Sequence, residues 1–386
     1  MTAASTQRDT AQRHTARILL AAGGTGGHLF PAEALAHELL GRGLAVDLVT
    51  DERGQGFGAK LPQVGVHHIA AGGVAGKGAA ARLQNVLRLG VGYLQSRRLV
   101  KRLRPAVAVG FGGYPSVPPL LAAQHAGVRT VLHEQNAVAG RANRFLMKRA
   151  SSVATSFERV KFLDQVPPAQ RIVTGNPVRP DIAAIATEAY VAPAVDGPFR
   201  LLVVGGSLGA RVFGELMPPA VALLPDDLRQ RLQLTQQCRA EDLEKVAAQY
   251  REMGLAVDLQ PFFRDIPARL AQTHLLVSRA GASTVAELAA AGRPALMIPL
   301  PGSIDDHQMA NAAALADAGG GWAVAQRDLD PAGLAVRLQD LMTHPAKLAA
   351  AADAARRLGR RDAARALADL VTGLLQAGTA QRSEQR

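Results

Sequence analysis

The 386-residue sequence holds one cysteine, Cys238, one tryptophan, and only 4% aromatic residues. A single thiol excludes a disulfide framework and a cysteine-based zinc site, in keeping with a reducing cytoplasm. Scarce aromatics argue against nucleic acid as a partner, since single strands are bound by stacking bases on rings. Long apolar runs are missing as well. The uncharged stretch nearest to membrane-span length, 107–123, contains three glycines and three prolines, so no transmembrane helix is predicted. Residues 1–16 are polar and lack the apolar segment of a secretory signal, which reads as a disordered leader. A disordered tail is expected over 377–386.

One sign of charge is absent over a long interval. From Arg53 through His133 there are eleven Lys or Arg and no Asp or Glu, while the rest of the chain carries 33 bases against 32 acids. The formal net charge of +12 is therefore concentrated on one part of the chain. Within it, 79–103 reads as a helix with Leu83, Val86, Leu87 and Leu94 on one stripe, and Arg82, Arg88, Arg97, Arg98, Lys101 and Arg102 around it. An apolar stripe flanked by cations suits an anionic membrane surface. The other reading is a helix that packs this stripe on a sheet.

What is present is a motif used twice. Arg17-Ile18-Leu19-Leu20-Ala21-Ala22 and Arg200-Leu201-Leu202-Val203-Val204 read as buried parallel strands. Each runs into a glycine-rich loop, Gly23-Gly24-Thr25-Gly26-Gly27 or Gly205-Gly206-Ser207-Leu208-Gly209, and then into a helical pattern. Such turns expose backbone N–H groups at a helix N-terminus and favour phosphate. Strands and helices alternate on both sides of a break at 175–198, so the sequence predicts two doubly wound α/β domains. Their expected bounds are 17–178 and 179–359, with a last helix at about 360–376.

Neither loop fits the dinucleotide fingerprint, because Leu29 occupies the third glycine position of the first loop and the second lacks the initial G-x-G. No lysine follows either loop, so the nucleotide-hydrolase P-loop fails too. Asp51, at a strand end, is a ribose-binding candidate or a turn residue. His28 closes the first loop at the start of a helix, whose positive end favours the neutral imidazole; it is a candidate general base or a structurally satisfied histidine. Phe111-Gly112-Gly113-Tyr114-Pro115-Ser116 makes a third glycine turn at the same sheet end, and His133-Glu134-Gln135-Asn136 is a polar run expected to face the cleft. In the second half, Ser278-Arg279-Ala280-Gly281-Ala282-Ser283-Thr284 leads into a helix bearing Glu287, a carboxylate able to accept from a ribose diol. Asp305, Asp306, His307, Gln308 and Asn311 offer groups for sugar hydroxyls; the first three are alternatively metal ligands, although adjacent residues make poor tetrahedral sets.

These segments resemble the MurG family of peptidoglycan N-acetylglucosaminyltransferases. The matching segments are Gly-Gly-Thr-Gly-Gly-His at 23–28, Gly-Phe-Gly-Gly-Tyr at 110–114, His-Glu-Gln-Asn at 133–136, Gly-Asn-Pro-Val-Arg at 175–179, Gly-Gly-Ser-Leu-Gly-Ala-Arg at 205–211, Arg-Ala-Gly-Ala-Ser-Thr-Val-Ala-Glu at 279–287 and Asp-Asp-His-Gln at 305–308. They keep the family's order over about residues 17–375. The resemblance implies a GT-B fold, two Rossmann-like domains facing across a cleft, with the last helix returning to the first domain. It implies inverting transfer of GlcNAc from UDP-GlcNAc to the C4 hydroxyl of the undecaprenyl-pyrophosphoryl-MurNAc-pentapeptide, lipid I, giving lipid II, without metal or other cofactor. The location it implies is peripheral, on the cytoplasmic side of the inner membrane, where other wall-synthesis and division proteins are candidate partners.

Carried over by residue, the donor site is Thr25, Gly26, Gly27, Asn136, Arg179, Ser207, Phe263, Ala282, Ser283, Thr284, Val285, Ala286, Glu287 and Gln308. Glu287 would hold the ribose, Gln308 the sugar hydroxyls, and Ser207 with Arg179 the diphosphate. His28 is the candidate base, and Gly24, Gly26, Gly27, Gly112, Gly113 and Tyr114 would receive the acceptor diphosphate. Two departures stand near the nucleotide site: Gly214 replaces a frequent Asn, and Gln236-Gln237-Cys238-Arg239 replaces a His-Gln-Ser/Thr-Gly turn. The readings set against this one are a GT-B enzyme using another UDP-sugar or a glycolipid acceptor, a UDP-sugar epimerase of the same architecture, and a non-catalytic basic module for nucleic acid or anionic lipid.

Overall fold

The computed structural model describes residues 16–23, 26–54, 61–71, 79–185, 187–206 and 209–384. The leader, apart from Ala16, and the calls on Gly24, Thr25 and Ser207 lie outside these residues.

The first half is a parallel seven-stranded sheet built from β1 (Arg17–Ala21), β2 (Ala45–Thr50), β3 (Gly65–His68), β4 (Val107–Gly110), β5 (Arg129–Glu134), β6 (Ser152–Thr155) and β7 (Arg171–Val173). Its order is β3-β2-β1-β4-β5-β6-β7. Because side chains alternate along a strand, Ile18 and Leu20 of β1 face one layer and Leu19 and Ala21 the other. The first layer holds α1 (Gly26–Gly41). The second holds α2 (Ala79–Leu103) and α3 (Val117–His125), and α4 (Arg141–Leu146) follows β5. Burial on both faces explains why these strands are apolar throughout.

After α5 (Pro180–Ile185) the pattern restarts with β8 (Phe199–Val204), α6 (Arg211–Ala222), α7 (Asp226–Arg231), β9 (Leu232–Gln237), α8 (Leu243–Glu252) and β10 (Val257–Gln260). It continues through α9 (Ile266–Gln272), β11 (Leu275–Ser278), α10 (Ala282–Ala291), β12 (Ala295–Met297), α11 (His307–Asp317), β13 (Gly321–Ala323), α12 (Pro331–Thr343) and α13 (Pro345–Leu358). The second sheet has six parallel strands in the order β10-β9-β8-β11-β12-β13. In both sheets the direction of winding reverses beside the first strand, between β1 and β4 and between β8 and β11. The glycine loops follow those first strands, so both open at a topological switch point, where α/β proteins bind ligands.

The last helix, α14 (Ala363–Glu384), crosses back to the first domain. Leu367, Ala368 and Val371 are fully buried in its core, and Asp369 accepts from Arg42 at 2.7 Å. The helix continues through Glu384, where a disordered tail is expected from 377. The residues after Gly378 include the helix formers Ala380, Gln381, Arg382 and Glu384, and one glycine does not outweigh them.

Two more differences have local causes. The proline at position 31 suggests a helix beginning there, yet α1 begins at Gly26 with Pro31 inside it. The short helices α5 and α7, six residues each, carry no full apolar period; their signals are Pro180 with Asp181, and Asp226-Asp227 after Pro225.

Candidate active site between the two domains

The C-terminal ends of the two sheets face each other across a cleft of about 1020 Å³. From the first domain it is lined by Gly27, His28, Gly112, Gly113, Tyr114 and Asn136; from the second by Phe263, Ala282, Ser283, Thr284, Glu287 and Gln308, with Arg179 at the joint. Gly26 begins α1 beside it.

His28 sits in the first turn of α1, half-buried. Its Nδ1 lies 2.8 Å from the carbonyl oxygen of Phe111, which only accepts. The proton is therefore on Nδ1, and in the neutral ring Nε2 is the basic nitrogen. Three glycines surround the imidazole: a Cβ added at Gly23, Gly112 or Gly113 would stand 3.4–3.5 Å from ring atoms. Gly112 and Gly113 have φ of 80° and 75°, which side-chain-bearing residues rarely adopt. The first and third loops thus converge on one ring. The Phe111 carbonyl also accepts from Gln135 Nε2 at 3.2 Å, so Gln135 helps aim it.

Pro31 has a consequence across the cleft. Lacking an N–H, it cannot bond the carbonyl four residues earlier, that of Gly27. The Ser283 hydroxyl of the second domain donates to that oxygen at 3.4 Å.

Of the polar run that ends β5 and continues past it, only Glu134, Gln135 and Asn136 face the cleft. His133 lies beneath it, fully buried, donating through Nε2 to the Gly175 carbonyl at 2.9 Å. Burial pushes its pKa down to about 4, and the neighbouring His28 adds to the effect. Glu134 organises the loop, accepting from the Asn136 N–H at 3.0 Å, the Gly140 N–H at 2.8 Å and Asn143 Nδ2 at 2.8 Å. Burial raises its pKa, and these bonds oppose that shift.

In the second domain the segment 282–287 is helical and turns about 100° per residue, so it cannot all face one way. Val285 points into the core, and neither it nor Ala286 is among the residues that line the cleft. Glu287 is largely buried, and both Nε and Nη2 of Arg179 lie 3.1 Å from its Oε1. Burial raises the Glu287 pKa, and the guanidinium opposes the rise. Arg179 also stacks over Phe30, its guanidinium carbon 5.3 Å from the ring centroid.

Asp305 is paired with Arg144 and, at 3.6 Å, with Arg141 of the first domain. Both Asp305 and Asp306 have φ of 53°. No group of three His, Cys, Asp or Glu able to hold a metal occurs among the described residues. Asp51 directly follows β2 and is not among the residues lining the cleft.

The second glycine loop is braced by Gln237, which the sequence marks only as part of a departure from the family pattern. Gln237 Oε1 accepts from the Gly205 N–H at 3.0 Å, and its Nε2 donates to the carbonyls of Gly206 at 3.0 Å and Pro261 at 3.2 Å. The two departures from the family pattern meet here, because a Cβ at Gly214 would stand 3.9 Å from Cys238 Sγ. A signal for Phe30 and Gln237 exists only in their positions, just inside a helix after one loop and at the strand end beside the other.

Two parallel sheets wound alike, with glycine loops at their switch points and a common cleft lined by both, define a GT-B glycosyltransferase. Residues 18–155 match the glycosyltransferase family 28 N-terminal domain and residues 200–367 the glycosyltransferase family 28 C-terminal domain. The chain is 54% identical over 93% of its length to a protein of Rhodospirillum centenum, UDP-N-acetylglucosamine--N-acetylmuramyl-(pentapeptide) pyrophosphoryl-undecaprenol N-acetylglucosamine transferase, covering 94% of that protein. A protein of the same name from Rhodospirillum rubrum is 53% identical over 92% of this chain and 91% of its own. The crystal structure of MurG from Acinetobacter baumannii superposes with a TM-score of 0.75 at 31% identity, over 93% of this chain and 99% of that one. The chain belongs to glycosyltransferase family 28 and, within it, to the MurG family.

Proposed function

We propose that this chain transfers GlcNAc from UDP-GlcNAc to the C4 hydroxyl of undecaprenyl-pyrophosphoryl-MurNAc-pentapeptide, with inversion at the anomeric carbon. The observation that carries the reading is the placement of His28, ringed by glycines of two loops, in one cleft with the Arg179–Glu287 pair. Nε2 of His28 takes the proton of the acceptor hydroxyl. The oxygen forms a bond to the anomeric carbon of GlcNAc as the bond to the UDP oxygen breaks, and UDP leaves with the electron pair. Arg179 and Glu287 satisfy each other; with donor bound, Glu287 accepts from the ribose hydroxyls and Arg179 turns to the diphosphate. Both keep a partner in each state, as buried charges require.

Residues 17–178 with the returning helix then form the acceptor domain, and 179–359 the donor domain. The glycine turns, Gly26-Gly27 and Gly112-Gly113-Tyr114, receive the acceptor diphosphate through backbone N–H groups. Thr25, Gly24 and Ser207 keep the roles that the family resemblance implies for them.

The acceptor carries a lipid, and α2 has a face suited to reach it. Val86, Leu87, Val91 and Leu94 are 64%, 62%, 49% and 54% exposed, while Ser96, Leu99 and Val100 of the same helix are buried. The stripe that these four side chains form therefore does not pack on the sheet. It docks the domain, with the surrounding cations, on the anionic cytoplasmic face of the inner membrane. No helix among the described residues is long and apolar enough to cross a membrane.

The test is transfer of labelled GlcNAc from UDP-GlcNAc to a short-chain lipid I analogue. His28→Ala lowers kcat by about 10²- to 10⁴-fold, the usual contribution of a general base. Glu287→Ala weakens donor use by roughly 10- to 100-fold, as for loss of a charged hydrogen bond. Full activity in both folded variants refutes the site, and label that changes stereochemistry without moving to the acceptor points to an epimerase.

A further inference from the structure

Asn311 lies on α11 of the second domain and is fully buried. Its Oδ1 accepts from the Ala137 N–H at 2.8 Å, and its Nδ2 donates to Asn136 Oδ1 at 3.0 Å and to the Ala280 carbonyl at 3.1 Å. Both amide hydrogens are used, and two of the three bonds cross to the first domain. One turn earlier on the same helix, Gln308 Oε1 accepts from the N–H of Ala280 at 3.2 Å and of Leu300 at 2.9 Å. The two amides of α11 thus hold the residue leading into α10 by both backbone groups, and Asn311 alone also reaches the loop after β5.

The Asn136 amide is in turn fixed from two sides. Its Oδ1 faces the Asn311 donor, and its Nδ2 lies 3.3 Å from Glu134 Oε1. A half-turn of this amide would set two N–H donors against each other at Asn311 and two oxygens against each other at Glu134. In the observed orientation one N–H and one lone pair of Asn136 remain for the cleft, a pattern that suits a sugar hydroxyl, which both donates and accepts.

We propose that Asn311 is a positioning residue for the transfer reaction: it selects the orientation of the Asn136 amide that meets the donor sugar, and does so only when the two domains are docked. This rests on the reading of the cleft as a UDP-GlcNAc site. The nucleotide is held by the second domain, whereas the sugar needs a first-domain amide whose orientation is set by the second. Sugar recognition is thereby tied to closure.

The informative variant is Asn311→Asp. The introduced carboxylate still accepts from Ala137 but cannot donate to Asn136 or Ala280. Thermal midpoint, calorimetric affinity for UDP and for UDP-GlcNAc, and kcat and KM are measured for Asn311→Asp, Asn136→Ala and the double variant. UDP affinity is expected to stay within about twofold, while kcat/KM for UDP-GlcNAc falls by about tenfold, the size of one lost buried hydrogen bond. The double variant is expected to be no less active than Asn136→Ala, because residues acting through one contact are not additive. Unchanged kcat/KM in Asn311→Asp, or losses that multiply in the double variant, overturn the proposal. Asn311→Ser, which keeps a donor and an acceptor, replaces the aspartate variant if that one does not fold. If the unsubstituted protein transfers no GlcNAc, the reading of the site fails instead. The contact is then judged from the midpoints alone, where non-additive shifts support the Asn136–Asn311 coupling and additive ones overturn it.

Discussion

His28 and His133 lie under the same loops with opposite surroundings. His28 borders the cleft with Nδ1 engaged by a carbonyl, whereas His133 is sealed beneath it, with no partner for Nδ1. A proton on His133 Nδ1 would have no acceptor, which agrees with a pKa depressed to about 4. The sign of the linkage follows. The unfolded imidazole takes a proton near its ordinary value of 6.5, and the folded one only near 4, so stability falls as pH drops from about 6.5 towards 4. His133→Gln keeps a donor for Gly175 and is expected to flatten that fall. The check is the difference in thermal midpoint between the two proteins from pH 7 to pH 4. His274, buried and also lowered to about 4, contributes equally to both and cancels. A pattern of residue types can nominate His28 because a histidine after a glycine loop has a local address. It does not separate the cleft-facing members of the His133-Glu134-Gln135-Asn136 run from the buried one, since that depends on Gly175, brought there by the rest of the sheet.

At the scale of elements, the two strand, loop and helix units are legible because their signals are local: apolar runs, glycines and helical spacing. Helix α2 occupies 79–103 as its pattern predicts, and Val86, Leu87, Val91 and Leu94 lie on the face that the sheet leaves uncovered. The buried face is made by Gly92, Ser96, Leu99 and Val100, two of them small or polar, so hydrophobicity alone points to the wrong side. A Cβ at Gly92 would stand 2.0 Å from the Ala70 carbonyl oxygen, so close approach of the backbone requires glycine there. Replacing Leu87 and Leu94 together by Gln is expected to shift the thermal midpoint little, as both are exposed. The same change should reduce flotation with vesicles rich in anionic lipid. Flotation insensitive to both the substitutions and the anionic lipid counts against membrane docking by α2.

The whole molecule is two similar halves joined by contacts between distant residues. Asp305 holds Arg144 and Arg141 across the cleft, Ser283 reaches Gly27, and α14 returns to cover the first sheet. Removing α14 by ending the chain after Asp362 uncovers Leu367's former neighbours in the first core and leaves the second sheet intact. Each large apolar side chain lost from a core costs about 1.5–3 kcal/mol. The shortened protein is therefore expected to melt in two steps by calorimetry, the first domain at the lower temperature, with UDP still raising the upper transition. A single cooperative transition at the original midpoint would sink this account of α14.

By itself the sequence determined the two α/β halves, their glycine loops and most of the residues that line the cleft, because strand and helix periodicities and turn chemistry act over a few neighbouring positions. Tertiary structure alone decided which of those residues meet. The Arg179–Glu287 pair joins positions 108 apart, the His28–Phe111 bond positions 83 apart and the Asn136–Asn311 bond positions 175 apart. Burial, charge pairing and amide orientation are set by such neighbours, and desolvation depends on everything packed around a group rather than on its place in the chain.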